Sequence, residues 1–438
     1  MRMPRSFNGV AMGLIVGLMA PNALAIQEYP DMTRFNEVSR AAFTASDELE
    51  AYRIVSSAYK NPELQPLREL LAQLLANHSA MVGRYREAEA LGMSRAYNVQ
   101  TPLPSNMTAM RAAPAIVEAA KSHRVIMLNE AHTIARTRLL TFELLAPLRK
   151  AGFTHLALET LSNTDPVADR GYPVVNTGYY TTEPVFGEII RQALALGYVL
   201  VPYEYNGDEP GQQARETGQA ANLAALLRGQ PSARVLVHAG HGHIDKDSLR
   251  TAGDAKSMAA ELTRLTGIDP LSIEQTMMWD HPTAARQHPY YPQALTLWRA
   301  QHNEQNPTTP FVLRKPDGQL WSLHPTSNDI SVFMAPWTDD QTWRGLGGLR
   351  NPIKLRGNPC TQYPCLVEAR YQHESVDAIP ADRQMLDAPT PITLWLRDGC
   401  YLIKELPNHT KAKGGTTPVC FRTSSNPEAG TTSVQWKP

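Results

Sequence analysis

An apolar run that stops abruptly on charged groups sets the pattern of the chain. Val125-Ile126-Met127-Leu128 leads into Asn129-Glu130-Ala131-His132, and apolar residues at three- and four-residue spacing then fill 133–150. A short apolar run, a polar step and a helical period predict a buried strand, a turn and a helix. Arg149 and Lys150 suit the negative end of that helix, and Gly152 follows as a stop.

The alternation recurs. Residues 155–159 (His-Leu-Ala-Leu-Glu) predict a second strand ending on Glu159, and 184–196 predict a helix with Pro184 in its first turn and Gly197 beyond it. A third strand over 198–204 ends on Glu204. A helix over 212–228 is stopped by Gly229 and Pro231, and a fourth strand over 234–239 runs into Gly240-His241-Gly242-His243. A helix over 258–265 and a strand over 271–278 follow. The predicted fold class is therefore α/β, a central and mainly parallel sheet flanked by helices, with right-handed crossovers. Between the second strand and its helix, 162–182 form a polar loop of a length that is often functional.

The flanks read differently. Over 48–59, 63–76 and 81–91 apolar residues recur at helical spacing, with breaks expected at Asn61-Pro62 and Asn77-His78-Ser79. Pro102, Pro104 and Ser105 suit a linker. Residues 311–323 predict a hairpin around Pro316-Asp317-Gly318. From about 347 the chain is rich in Pro and Thr, with short strand-like runs at 392–396 and 401–404. The expected organisation is a signal peptide (1–25), a helical N-terminal region (26–105), the α/β domain (106–345) and a small β-rich C-terminal unit (346–438).

Composition narrows the class. The 438 residues include 42 Lys plus Arg against 42 Asp plus Glu, with no basic stripe, so a nucleic-acid partner is not expected. Arg2, Arg5, the short apolar run 9–20 and Ala23-Leu24-Ala25 predict a cleaved export signal, and hence a periplasmic or secreted protein with no transmembrane segment after cleavage. No cysteine follows the cleavage site, which argues against a lipid anchor. The four cysteines all lie late in the chain. An exported protein is expected to pair them, Cys360 with Cys365 and Cys400 with Cys420, each closing a local loop.

Four successive strands end in Glu130 with His132, in Glu159, in Glu204, and in the cluster His238, His241 and His243. Parallel strands bring such groups to one edge, where carboxylates and imidazoles can activate water or hold a divalent cation. Each residue also has a plainer reading. Glu130 and Glu159 suit helix capping, His132 and His243 suit polar loops, and His238 lies inside a strand, as core histidines do. Arg215 falls in the first turn of its helix, where the dipole disfavours a cation unless a carboxylate or other anionic group faces it. His241-Gly242-His243-Ile244-Asp245 also matches part of the metallo-β-lactamase pattern. Lys246 replaces the usual next histidine, and the preceding parallel units do not suit that fold.

At these residues the chain resembles the superfamily of erythromycin esterases, ChaN-type haem-uptake lipoproteins and Tiki/TraB proteins. The family's strand followed by G-E-x-H reads Asn129-Glu130-Ala131-His132 here, and its second strand ends on a Glu matched by Glu159. A helix motif, Arg-acidic-x-x-Met-Ala-x-Asn, is similar to Arg215-Glu216-Thr217-Gly218-Gln219-Ala220-Ala221-Asn222, and G-x-x-H is matched by Gly240 and His243. Asn129 replaces glycine and Gln219 replaces methionine. The resemblance covers about 124–244.

What it implies differs among members: hydrolysis with the first-motif histidine as base, metal-dependent peptide hydrolysis, or haem binding. The leading expectation is an exported hydrolase acting on a small-molecule or peptide substrate. In it His132 is the base, Glu130 and Glu159 orient or charge it, His243 is the acid or oxyanion partner, Arg215 binds an anionic group, and Glu204 completes the set. A metal-dependent version would place Mn or Zn on His132, Glu159, His243 and His241. A carrier version would ligate haem iron through histidines or through Tyr179, Tyr180, Tyr203 or Tyr205. A third expectation is a structural or interaction protein whose pocket is idle.

Overall fold

The computed structural model describes residues 32–92, 97, 99, 101–247, 255–356, 360–406, 416–421 and 433–435. The expected export signal and its cleavage site lie outside them.

The centre is an eight-stranded sheet: β1 Thr108–Arg111, β2 Val125–Glu130, β3 His155–Leu158, β4 Val199–Pro202, β5 Val235–Gly240, β6 Leu271–Met278, β7 Phe311–Arg314 and β8 Ile330–Phe333. Their order is β1-β7-β8-β6-β2-β5-β3-β4. From β4 to β8 every pairing is parallel, and β7 and β1 close that side antiparallel. The chain steps from β2 out to β3 and β4, returns to lay β5 beside β2, then crosses to β6 on the other side of β2. That reversal falls at the carboxyl ends of β2 and β5, the kind of position where open α/β sheets bind ligands.

Apolar runs explain the central strands. Every residue of β2, β3 and β5 is buried, as helices covering both faces require. The predicted strand 198–204 is shorter as β4: it is an edge strand and ends at Pro202, which cannot donate to a ladder. The helix predicted over 133–150 begins as a 3-10 turn, Ala135–Thr137, and becomes α-helical at Arg138–Lys150. Thr137 Oγ1 donates to the Ile134 carbonyl at 2.7 Å, tightening that entry.

The flanks bring corrections. Helices Met32–Phe43, Glu48–Lys60, Arg68–Met81 and Tyr85–Leu91 form the N-terminal layer. No break occurs at Asn77-His78-Ser79: the helix runs through, His78 and Ser79 are buried, and Ser79 Oγ donates back to the Leu75 carbonyl at 2.8 Å. His78 and Ser79 face the protein interior rather than water, and Ser79 Oγ also lies 3.0 Å from Glu87 Oε1 of the next helix. The expected hairpin forms a tight turn, with Lys315 N donating to Gln319 O at 2.8 Å, but its second arm is only a bridge at Leu320. β7 pairs instead with β1 and β8, two strands too short to stand out in the sequence.

Beyond 350 lies the expected β unit. A four-stranded antiparallel sheet joins β10 Cys365–Tyr371, β11 Asp382–Leu386, β13 Gly399–Leu406 and β14 Thr416–Phe421. A three-stranded sheet joins β9 Asn351–Arg356, β12 Ile392–Leu396 and β15 Ser433–Gln435. Both expected disulfides, Cys360–Cys365 and Cys400–Cys420, are present. This unit is not an appendage: Leu366 and Met385 sit in the apolar core of the N-terminal helices, and Met385 N donates to Val82 O at 2.9 Å. Among the described residues no helix is long and apolar enough to cross a membrane.

Candidate functional site

The strand ends converge as the parallel order requires. Glu130 closes β2, His132 lies two residues on, Glu159 follows β3, Glu204 follows β4 by two residues, and His243 lies in the turn after β5. All five are buried.

Two ion-paired groups meet there. In the first, Arg138 donates from Nε to Glu130 Oε2 at 2.7 Å and from Nη2 to Oε1 at 3.2 Å, and from Nη1 to Glu183 Oε2 at 2.9 Å. Glu130 Oε1 also holds His132 Nδ1 at 2.8 Å, and Oε2 lies 3.0 Å from His238 Nε2. Burial alone would raise the Glu130 pKa, but Arg138 and His238 outweigh it and hold the carboxyl well below its ordinary range. An ionised Glu130 fixes the proton of His132 on Nδ1 and leaves the Nε2 lone pair available. Nε2 is buried and has no hydrogen-bond partner.

In the second group, Arg215 donates from Nε to Glu204 Oε1 at 3.0 Å and from Nη2 to Glu204 Oε2 at 2.9 Å and Glu159 Oε1 at 2.6 Å. Its Nη1 lies 2.9 Å from His243 Nε2. The opposite nitrogen of His243 meets Glu216 Oε1 at 2.8 Å. The charge that Arg215 offsets is thus internal, which explains a cation in the first turn of its helix. Burial favours the ionised form of neither Glu159 nor Glu216, yet His243 and Arg215 pull both pKa values down. His243 responds in kind: burial lowers its pKa, but Glu216 and Glu159 outweigh that and raise it. Its Nε2 lies 3.6 Å from Glu159 Oε1 and next to an Arg215 donor, so the site can hold both protonation states.

Gly240 joins the two groups. Its N–H donates to Glu159 Oε2, and a Cβ built there would lie 2.3 Å from His132 Nε2 and 3.0 Å from Glu159 Oε2. Any side chain would push His132 and Glu159 away, a physical reason for glycine at this position. Two non-glycine residues beside the site adopt left-handed backbone: Thr160 (φ 59°), directly after Glu159, and His241 (φ 42°), directly after Gly240. Such conformations are costly, above all for a β-branched residue, and concentrate at functional sites.

Asn129 is not in a loop. It lies inside β2, fully buried and paired with Ala239, so nothing there demands glycine. Its Nδ2 donates to His241 O at 2.9 Å and its Oδ1 accepts from Gln275 N at 2.9 Å, tying β6 to the turn after β5.

His241 approaches His132 edge-on, with ring centroids 5.2 Å apart. His238 is a core histidine that nonetheless touches Glu130, and its Nδ1 faces Thr141 Oγ1 at 2.8 Å. Among the described residues no three His, Cys, Asp or Glu side chains are grouped to hold a metal ion. The set His132, Glu159, His243 and His241 does not fit one, because the Arg215 guanidinium already stands between Glu159 and His243. Of the tyrosines considered for haem, Tyr203 donates to His238 O at 3.3 Å and Tyr180 stacks on His132.

Arg138, Glu183 and Glu216 belong to the site and were not singled out as site residues by the sequence, and Tyr180 was considered only as a haem ligand, not as a partner of His132. Glu216 had a signal, as the acidic residue beside Arg215 in the helix motif. Arg138 and Glu183 had none, since each owes its place to the path of a loop.

No family model and no curated protein matches the chain. Among solved structures, the type III effector HopBA1 is similar with a TM-score of 0.28 and 15% identity, over 44% of this chain and 96% of that one. RRSP, a MARTX toxin effector domain from Vibrio vulnificus CMCP6, is similar with a TM-score of 0.26 and 14% identity, over 56% of this chain and 62% of that one. Likenesses this slight carry no statement about activity.

Proposed function

We propose that the protein is an exported hydrolase that activates water for cleavage of an ester, amide or peptide bond. One observation carries the reading: His132 has Nδ1 committed to an ionised carboxylate and a buried Nε2 with no partner. An imidazole so held is oriented to take a proton from water at Nε2 and to be stabilised, once charged, by Glu130. Glu159, fixed by Arg215 and the Gly240 N–H, contributes a negative charge to the surroundings of His132 and would favour the developing imidazolium. His243, held between Glu216 and Arg215, would return a proton to the leaving atom once its Nε2 turns from Arg215. Export to the periplasm or beyond is supported by the two disulfides and by the N-terminal signal pattern.

The test is a screen of purified protein against esters, amides and peptides, with and without Mn²⁺ and Zn²⁺, repeated with His132→Ala. Turnover that does not require added metal and falls by about 10²–10⁴ in the variant is expected, the range for loss of a general base. Full activity in His132→Ala would sink the proposal. A Soret shift on titrating haemin that disappears in His132→Ala, with no hydrolysis in any arm, would replace it with haem carriage.

A further inference from the structure

The imidazole of His132 is held by more than Glu130. Tyr180 lies flat on it, with ring centroids 3.8 Å apart and planes inclined by 8°. With Tyr180 on its face, His241 at its edge and Gly240 against Nε2, the ring cannot turn over to exchange Nδ1 for Nε2 unless Tyr180 moves.

Tyr180 is far from the strands in chain terms. It sits near the end of the segment between β3 and the helix Pro184–Ala195. That segment closes on itself: Leu161 bridges Gly178, Ser162 N donates to Thr177 O at 2.8 Å, and Arg170 pairs with Asp165 at 2.7 Å. Its outer part is gripped by the C-terminal β unit, through the turn between β10 and β11. Val174 bridges Ala378, Val175 N donates to Asp377 O at 3.1 Å, and Ile379 N donates to Pro173 O at 2.9 Å. Ser375 N donates to Tyr172 Oη at 3.2 Å. The same turn is anchored behind by Arg191, which binds both oxygens of Glu374, at 2.7 and 2.5 Å, and Ile379 O at 2.6 Å.

We propose that Tyr180 is a positioning residue for His132, and that the turn 372–381 of the C-terminal β unit keeps Tyr180 in place. The C-terminal unit thereby completes a site whose charged groups all come from the strand ends and helices of the α/β domain. The consequence for turnover rests on the hydrolase reading; the positioning of the imidazole does not.

The test follows carbethoxylation of His132 by diethylpyrocarbonate, read by peptide mass spectrometry on the full chain. Tyr180→Phe, which keeps the stacked ring, should leave His132 as protected as in the unchanged protein. Tyr180→Leu, which removes it, should raise the modification rate about tenfold, the equivalent of losing one aromatic stack. Val175→Pro removes the N–H given to Asp377 and should raise the rate similarly, with no further rise in the double variant. Tyr180→Leu or Val175→Pro leaving His132 protected would overturn the proposal, as would equal exposure in Tyr180→Phe and Tyr180→Leu. Hydrogen exchange on the unchanged protein covers the case where a variant fails to fold. Peptides from 173–183 and 372–381 should open at one common rate, and independent opening refutes the clasp. If no substrate is found while His132 protection behaves as described, the hydrolase reading fails and the positioning stands.

Discussion

Arg136, in the turn that follows His132, and Arg138, which opens the helix after it, are both buried, each gripping a glutamate with two nitrogens. Arg136 binds Glu89 at 2.7 and 3.3 Å, Asp280 at 2.9 Å and the Ala335 carbonyl at 2.8 Å. It locks the N-terminal helices to the far end of β6. Arg138 binds Glu130 and Glu183 over similar distances. The difference lies in what the carboxylate does next. Among the described residues Glu89 receives only guanidinium groups, from Arg136 and Arg86. Glu130 passes its charge to two imidazoles, one of which keeps a nitrogen with nothing to bind. An ion pair closed on itself is scaffold, whereas an ion pair that orients an unspent lone pair can do chemistry.

Removing each glutamate in turn puts that distinction at risk. Both Glu89→Ala and Glu130→Gln take from a buried arginine the carboxylate it grips with two nitrogens and leave it one other, Asp280 or Glu183, and each should cost about 1–3 kcal/mol of stability, measurable by denaturant unfolding. Only Glu130→Gln should also lower turnover per folded molecule, by about 10²–10⁴, because His132 loses the partner that fixes its tautomer. Equal turnover losses in the two variants would erase the contrast between scaffold and site.

Acid should expose the scaffold more gently. Glu188 is another closed carboxylate. Burial raises its pKa, but Arg350, Arg397 and Arg191 outweigh this and hold it at about 2 against an ordinary 4.5. The unfolded chain therefore binds the proton first, so the stability Glu188 contributes is present above pH 4.5 and is lost as pH falls toward 2. About 3 kcal/mol is at stake in this one group. Glu130, Glu159 and Glu216, also lowered, add to the same slope. His243 acts in the opposite sense: its raised pKa gives stability that is complete below the ordinary 6.5 and lost as pH rises through the folded value. Thermal unfolding between pH 5 and 2.5 should thus be steeper in the unchanged protein than in Glu188→Gln, and parallel slopes would count against this account.

How much of this could be read in the sequence depended on distance along the chain. The strands that lead to Glu130, Glu159 and Glu204, and the turn carrying His243, were legible because an apolar run followed by a helical period is a local signal. The order of strands that brings them together follows from general rules for parallel units. What stayed hidden has no local pattern. Leu366 completes the core of helices some 300 residues earlier, Glu183 reaches Arg138 from the far end of a loop, and Tyr180 meets His132 from the end of that loop, which is also gripped from beyond residue 370. The misplaced break at Asn77-His78-Ser79 has the same cause, since polar residues read as exposed until the layer that buries them is known.

Asn129 offers the finest test, because the resembling family has glycine there and the local reading assigned it to a loop. The structure gives the position extended backbone inside β2 and an amide that serves two other chain segments. Asn129→Gly would leave the Gln275 N–H and the His241 carbonyl without those partners in a buried setting, and would loosen a strand interior. A loss of about 1–3 kcal/mol is expected from the orphaned groups, seen as a lower unfolding midpoint. The turn carrying His241 should loosen with it, and its left-handed backbone should relax once nothing holds the carbonyl. Hydrogen exchange over 238–244 would then quicken while the segment around Arg136 and Glu89 stays unchanged. A variant as stable as the natural sequence, with exchange unaltered in both places, would mean that the asparagine is a neutral replacement rather than the tie between β6 and the site.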